Sequence, residues 1–258
     1  MDLGIKDLRV LVTAGAAGIG LEIARAFLRE GAKVHVCDVD GAALAAIAKS
    51  DPTLTRSACD VADRAAVARL FGDAQQRLGG LDCLVNNAGI AGPTGRVEEI
   101  RPEDWDRCIA VDLTGQFNCA RLAIPLLKQS KNASVINLSS QAGKHGFPLR
   151  APYAAAKWGV IGFTKTLAIE LGPSGVRVNA LLPGLVAGDR IRRVIEAKSQ
   201  QLGRSFAEQE RAMFQFTSIK DYVTPQQLAD MVVFLASPRA KTVSGQAISV
   251  CGDTNMLG

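Results

Sequence analysis

Tyr153 and Lys157 stand four residues apart in Y-A-A-A-K, and Ser140 lies thirteen positions before the tyrosine. These types and spacings can assemble one proton-transfer site. Residues i and i+4 project from the same face of a helix, and a serine at the end of a preceding strand can meet that face. A phenol ordinarily ionises near pH ~10 and is a poor base at neutral pH. An ammonium beside it favours the phenolate, and a serine hydroxyl can hold the oxygen of an alcohol or carbonyl. The pentapeptide alone occurs by chance in many amphipathic helices, so its meaning rests on the elements that position it.

Those elements alternate along the chain. Apolar, strand-like runs are expected over 8–13, 33–37, 54–58, 81–85, 134–138, 176–182 and 247–250. Helical spacing is expected over 19–29, 42–49, 64–78, 102–128, 152–171 and 225–236, and the charged stretch 190–216 is helical in part. Strands alternating with helices imply a parallel sheet covered on both faces. Right-handed crossovers make that a Rossmann-like doubly wound α/β fold of three layers. The 258 residues, 48% hydrophobic and 21% charged, suit one domain spanning 1–258. No linker, repeat or low-complexity tract divides them. No apolar run is long enough to span a membrane. The first strand-like run begins so early that no signal peptide is expected. The six cysteines are scattered without C-x-x-C, which suits buried thiols in a reducing cytoplasm. A net charge of +5, with no basic block interleaved with aromatics, excludes little beyond nucleic acid. It suits an anionic cofactor or substrate. No clustered Cys/His/Asp set suggests a catalytic metal.

The first strand–helix junction reads Thr13-Ala14-Gly15-Ala16-Ala17-Gly18-Ile19-Gly20. Glycines there let the backbone turn tightly and approach a phosphate, and the helix N-terminus offers free N–H groups. Asp38 follows at the end of the second strand. An acidic side chain at that place accepts hydrogen bonds from ribose hydroxyls and repels a 2′-phosphate, which favours NAD over NADP. After the third strand, Asp60-Val61 serves either an adenine contact or, through Asp60, a helix N-cap. Asn86-Asn87-Ala88-Gly89 follows the fourth strand, where amides can bond neighbouring backbone and stabilise the sheet crevice.

Taken together, these motifs resemble the short-chain dehydrogenase/reductase family over nearly the whole chain. The resemblance includes Pro183-Gly184 after the sixth strand. It implies a nicotinamide-dependent oxidoreductase, usually a homotetramer. It also implies roles: Tyr153 as general acid/base, Lys157 as the cation beside it that also bonds the nicotinamide ribose, and Ser140 polarising the substrate oxygen. The cofactor would rest on Gly15, Gly18, Ile19, Gly20, Asp38, Asp60, Val61, Asn87, Ala88, Gly89, Tyr153, Lys157, Pro183, Gly184 and Val186.

The chain departs from the family pattern at three places. Ala14 replaces the first glycine of the turn, which is tolerable if its φ stays negative. Asp112, in Val111-Asp112-Leu113-Thr114-Gly115, replaces an asparagine thought to hold a relay water. It serves in that relay or pairs with Lys157 or a nearby backbone N–H. Gly188 stands where a threonine commonly bonds the nicotinamide amide, leaving the Val186 backbone or Asp189 to substitute.

Specificity is expected in the loop after Ser140, around 92–96, and in a lid over 187–223. Gln141, Lys144, His145 and Arg150, with Arg190, Arg192 and Arg193, suit a small polar or anionic substrate. A solvated helix start explains the three lid arginines equally well. The leading expectation is an NAD-dependent dehydrogenase for a secondary alcohol, sugar, polyol or hydroxy acid. The alternatives are a 3-oxoacyl-thioester reductase and a non-catalytic NAD-binding sensor.

Overall fold

A computed structural model describes residues 2–257. Among the described residues seven strands form: β1 (Arg9–Thr13), β2 (Lys33–Asp38), β3 (Thr55–Ala58), β4 (Cys83–Asn86), β5 (Ser134–Leu138), β6 (Arg177–Pro183) and β7 (Ala247–Val250). They pair in parallel as one sheet in the order β3-β2-β1-β4-β5-β6-β7. Every residue of β4, β5 and β6 is buried. Strands covered on both faces need no polar alternation, which explains why these read as near-continuous apolar runs.

Among the described residues nine α-helices surround the sheet: α1 (Gly18–Arg29), α2 (Gly41–Ser50), α3 (Arg64–Leu78), α4 (Pro102–Ile109), α5 (Gly115–Leu127), α6 (Ala151–Leu171), α7 (Asp189–Leu202), α8 (Phe206–Phe214) and α9 (Pro225–Ala236). The period-two pleat sends Val10 and Val12 of β1 to one face, where Ile23 and Phe27 of α1 and Leu228 and Val232 of α9 cover them. Leu11 faces the other side with Leu70 of α3, Ala123 of α5 and Leu167 of α6. The result is the three-layer, doubly wound architecture expected. Among the described residues no helix is long and apolar enough to cross a membrane. All six cysteines are free.

Two expected elements differ. The helix expected over 102–128 is interrupted by a π-helical turn, Ala110–Thr114, which re-aims the side chain of Asp112. The fourth strand starts at Cys83 rather than 81. Asp82 instead clasps Arg9, accepting from its Nε at 2.8 Å, its Nη2 at 2.8 Å and its backbone N–H at 2.9 Å.

β1 has β2 on one side and β4 on the other. Chain progression reverses there and opens a crevice at the strands' carboxyl ends, the usual ligand position of such sheets. Beyond β6, α7 and α8 build a small separate cluster of Leu185, Ile195 and Met213 against Phe147 and Tyr222. This segment sits over the same end of the sheet.

His35 of β2 is buried, with Nδ1 2.8 Å from Thr55 Oγ1 and Nε2 3.0 Å from Ser57 Oγ. Burial lowers its pKa from 6.5 to about 4, with Asp73 opposing. A folded pKa below the unfolded one gives stability that is fully present above 6.5. That stability is lost as pH falls through the window toward 4. Denaturant unfolding at stepped pH should therefore show a loss of about 3 kcal/mol across that window from this residue. His35→Gln should flatten that limb; an unchanged acid limb in the variant would assign the loss elsewhere.

Candidate active site

The glycine turn is held in a conformation that the sequence pattern alone did not reveal. Ala14 sits at φ 49°, in the left-handed region, and not at the negative φ expected for it. That costs a non-glycine residue roughly 1–2 kcal/mol. The position is over-determined by its surroundings. Asn87 Nδ2 donates to Thr13 O and Ala14 O, each at 3.0 Å. A Cβ at Gly20 would lie 2.0 Å from Ala14 O, so only glycine lets α1 approach this closely. Thr13 Oγ1 accepts from the backbone N–H groups of Asn87 and Ala88 at 2.9 Å. The Asn-Asn-Ala-Gly motif therefore fastens the end of β4 to the turn after β1.

α1 begins at Gly18 with Ala17 as its N-cap and no side-chain cap. Its first N–H groups are left for a ligand. Ala17, Gly18, Ile19 and Gly20 line a cavity of about 570 Å³ that runs along the carboxyl ends of the strands. Asp38 lines it too. Its carboxylate is fixed by accepting from Ala16 N–H and Asp40 N–H, each at 3.1 Å. An uncapped helix start over a glycine cradle, beside an acidic strand end, fits a dinucleotide with its pyrophosphate at α1.

Ser140, Tyr153 and Lys157 line the other end of the same cavity. Ser140 ends the turn after β5, and its Oγ accepts from Ala142 N–H at 3.2 Å. The next residues press against α6. A Cβ at Gly143 would lie 2.6 Å from Lys157 O, and Ser139 Oγ donates to that carbonyl at 2.8 Å. This contact sets the register of the serine against Tyr153 and Lys157. Lys157 is 3% exposed. Its ammonium donates to Leu138 O at 3.1 Å and lies 5.5 Å from the centre of the Tyr153 ring.

Asp112 is wholly buried behind the lysine. One carboxylate oxygen accepts from Ile90 N–H at 2.7 Å, and the other lies 3.4 Å from Lys157 Nζ. The ion pair and the backbone contact are thus both present. Gly89, Asn87, Pro183, Gly184 and Val186 also line the cavity. Val186 bridges Val223 through its neighbours, Ala187 N–H donating to Val223 O and Val223 N–H donating to Leu185 O. That leaves Val186's own N–H and C=O on the opposite side. Gly188 and Asp189 line the wall as well.

Other expected residues lie off the cavity wall. Gly15 donates its N–H to Cys37 O. Asp60 accepts from Ala62 N–H at 2.9 Å and pairs with Arg107 at 2.9 Å. The helix N-cap is Asp63 instead. Val61 O accepts from Asn118 Nδ2 at 2.9 Å. His145 contacts Thr254 O at 3.1 Å through Nε2, a structural tie between the loop and the C-terminal segment.

Phe147, Leu185, Met213, Thr217, Thr254 and Leu257 are among the lining residues that were not singled out individually in sequence. Phe147 falls in the loop after Ser140, and Met213 and Thr217 fall in the lid expected over 187–223. The others reach the cavity through tertiary contacts that no local pattern encodes.

Fold and site together define a dinucleotide-binding oxidoreductase. A family model described as enoyl-(acyl carrier protein) reductase matches residues 14–253. The chain is 36% identical over 241 residues to D-beta-hydroxybutyrate dehydrogenase of Cupriavidus necator, covering 91% of this chain and 93% of that one. It is 36% identical over 258 residues to trans-4-hydroxycyclohexanecarboxylate dehydrogenase of Sinomonas cyclohexanicum, covering 96% and 93%. The crystal structure of a single-substitution variant of actinorhodin polyketide ketoreductase with NADPH superposes with a TM-score of 0.90 at 34% identity, covering 98% of each chain. The chain belongs to the short-chain dehydrogenase/reductase family.

Removing one member of a buried ion pair leaves the other charge uncompensated. Asp112→Ala should lower unfolding stability by about 3 kcal/mol. Asp112→Asn keeps an acceptor for Ile90 N–H and should lose less. Denaturant melts of the three proteins check this, and equal stability of all three would show that Lys157 does not depend on the carboxylate.

Proposed function

We propose that this chain is an NAD-dependent oxidoreductase acting on the CH–OH group of a small polar secondary alcohol, of the sugar, polyol or hydroxy-acid kind. The observation that carries the reading is one continuous cavity. Its wall holds the uncapped start of α1 and Asp38 at one end and Ser140, Tyr153 and Lys157 at the other. A cofactor lying along it would rest its pyrophosphate on Gly18–Gly20, its adenosine ribose on Asp38, and its nicotinamide near Gly184 and Val186. Bound nicotinamide supplies the two-electron acceptor.

The chain's own residues do the rest. Ser140 Oγ holds the substrate oxygen. Tyr153 as phenolate takes the hydroxyl proton, and the Lys157 ammonium favours that anion and bonds the nicotinamide ribose. Asp112 holds Lys157 in place and takes up the position from which a proton relay would leave it. The segment 187–223 serves as a lid that excludes water and carries specificity. The domain works as a homotetramer in the cytoplasm.

NAD is preferred because a 2′-phosphate would meet the fixed Asp38 carboxylate. Both similar dehydrogenases act on hydroxy acids by name, which favours oxidation of such substrates here. A second reading, reduction of a 3-oxoacyl thioester with NADPH, draws on the likeness to the polyketide ketoreductase. The negative charge at Asp38 and the cationic groups at the substrate end both weigh against it. A non-catalytic sensor would not need Ser140, Tyr153 and Lys157 together.

NADH formation across a panel of polyols, sugars and hydroxy acids tests the reading. Tyr153→Phe should bind NAD as wild type and lose at least ~100-fold in turnover. Near-normal turnover in that variant would remove Tyr153 from the proton transfer. Asp38→Ala should weaken NAD binding and narrow the NAD-to-NADP preference by about tenfold, the worth of a charged hydrogen bond. An unaltered preference in cofactor titrations would rule out Asp38 as the discriminating group.

A further inference from the structure

Two guanidinium groups converge on the ring of Tyr153 from different elements. Arg150 immediately precedes α6, and its Cζ lies 5.3 Å from the ring centre. Arg190 is in the first turn of α7, and its Cζ lies 5.9 Å from the same centre. Both are anchored on one loop. Arg150 donates to Ala91 O and, at 3.5 Å, to Thr94 Oγ1; Arg190 donates to Gly89 O at 3.0 Å. Both line the main cavity and an adjoining one of about 420 Å³.

Neither guanidinium pairs with a carboxylate among the described residues. Asp112, the acid buried nearby, is committed to Lys157 and Ile90. Arg150 is 2% exposed, yet its buried Nε–H has no hydrogen-bond partner. Burial lowers its pKa, the Tyr153 phenol opposes that, and Arg190 lowers it further. Holding a buried cation beside a second cation, with a donor left open, is unfavourable unless an anion enters between them. An arginine offers planar, multi-donor geometry suited to an oxyanion.

We infer that Arg150 and Arg190 bind the anionic group, carboxylate or sulfonate, of a short hydroxy-acid substrate. This rests on the proposed oxidoreductase reading and narrows it. Pyrophosphate is not the anion concerned, because the uncapped start of α1 serves it at the other end of the cavity. The closeness of both arginines to Tyr153 limits the spacer between the anion and the reacting carbinol to a few atoms. In the reaction the hydroxyl proton goes to Tyr153. The carbinol hydrogen leaves with two electrons to NAD, giving the oxo acid, NADH and a proton. Because Arg190 belongs to α7, a bound anion also ties that helix down over the site.

The test compares 3-hydroxybutyrate with its neutral amide, 3-hydroxybutyramide, as substrates with NAD. 2-Hydroxypropanesulfonate separates a sulfonate preference from a carboxylate one. Wild type should favour one acid over the amide by at least ~100-fold in kcat/KM, two charge-assisted contacts' worth. Arg150→Gln and Arg190→Gln should each cut that ratio by ~10-fold or more, chiefly through KM. Arg190→Lys should restore part of it. Arg190 is exposed, so its variants test the site even if Arg150→Gln folds poorly.

Equal use of acids and amide by wild type overturns the proposal. So does an unchanged ratio in Arg190→Gln, or a variant that weakens NAD binding while leaving the ratio alone. If none of the three compounds yields NADH, their oxidation by this chain has failed, and binding to the protein–NADH complex decides the anion site. Acid bound over amide, with the preference lost in Arg190→Gln, supports the site; equal binding sinks it.

Discussion

The buried ammonium of Lys157 is the constraint around which the site is organised. A charge that is 3% exposed needs compensation, and here it comes from three separate pieces of chain. β5 gives the Leu138 carbonyl, the π turn gives the Asp112 carboxylate, and the loop after β4 fixes that carboxylate through Ile90 N–H. Each contact also locates an element. The π turn exists where an ordinary α-helical path would aim residue 112 differently, and it is where the carboxylate meets the lysine. Ser139 and Gly143 then lock the turn bearing Ser140 onto the Lys157 backbone. The spacing of Ser140, Tyr153 and Lys157 thus becomes a geometry because a buried cation has to be satisfied from several directions.

The same loop organises the substrate side. Residues 89–91 follow β4, and their carbonyls receive Arg190 and Arg150 while Ile90 N–H serves Asp112. One short segment therefore connects the cation needed near Tyr153 with the two cations at the substrate end. Among the described residues only the first has its own carboxylate. That asymmetry divides the positive charge into a part balanced by the fold and a part left for a ligand.

The fold was legible in the sequence because parallel strands buried on both faces leave near-continuous apolar runs, as in Cys83–Asn86. Tyr153 and Lys157 were legible because helical spacing fixes which side chains share a face. Asp38 and Asn87 were legible from their places at strand ends. What could not be read was set by contacts distant in sequence. The left-handed Ala14 is held by Asn87 and by the approach of Gly20. The π turn leaves no local mark in Ala110–Thr114. Asp60 is engaged by Arg107, 47 residues on, which no strand-end rule anticipates. Arg190 was indistinguishable from a solvated helix start, because its distance from Tyr153 depends on how α7 packs.

Rigidity and adaptability are divided between the two halves of the cavity. The cofactor half is built from strand ends cross-linked by side chain–backbone hydrogen bonds, with Thr13 and Asn87 at the seam. Such cross-links stiffen that wall. The opposite wall is carried by α7 and α8, which rest on a small apolar cluster of their own and not on the main sheet core. Fewer buried contacts make it the part most able to move. Placing one arginine before α6 and the other on α7 spans that division. Arg190 already reaches across that division to Gly89 O, beside the loop that receives Arg150. An anion bound by both arginines would add a charge-assisted contact between the two walls where apolar packing is sparse.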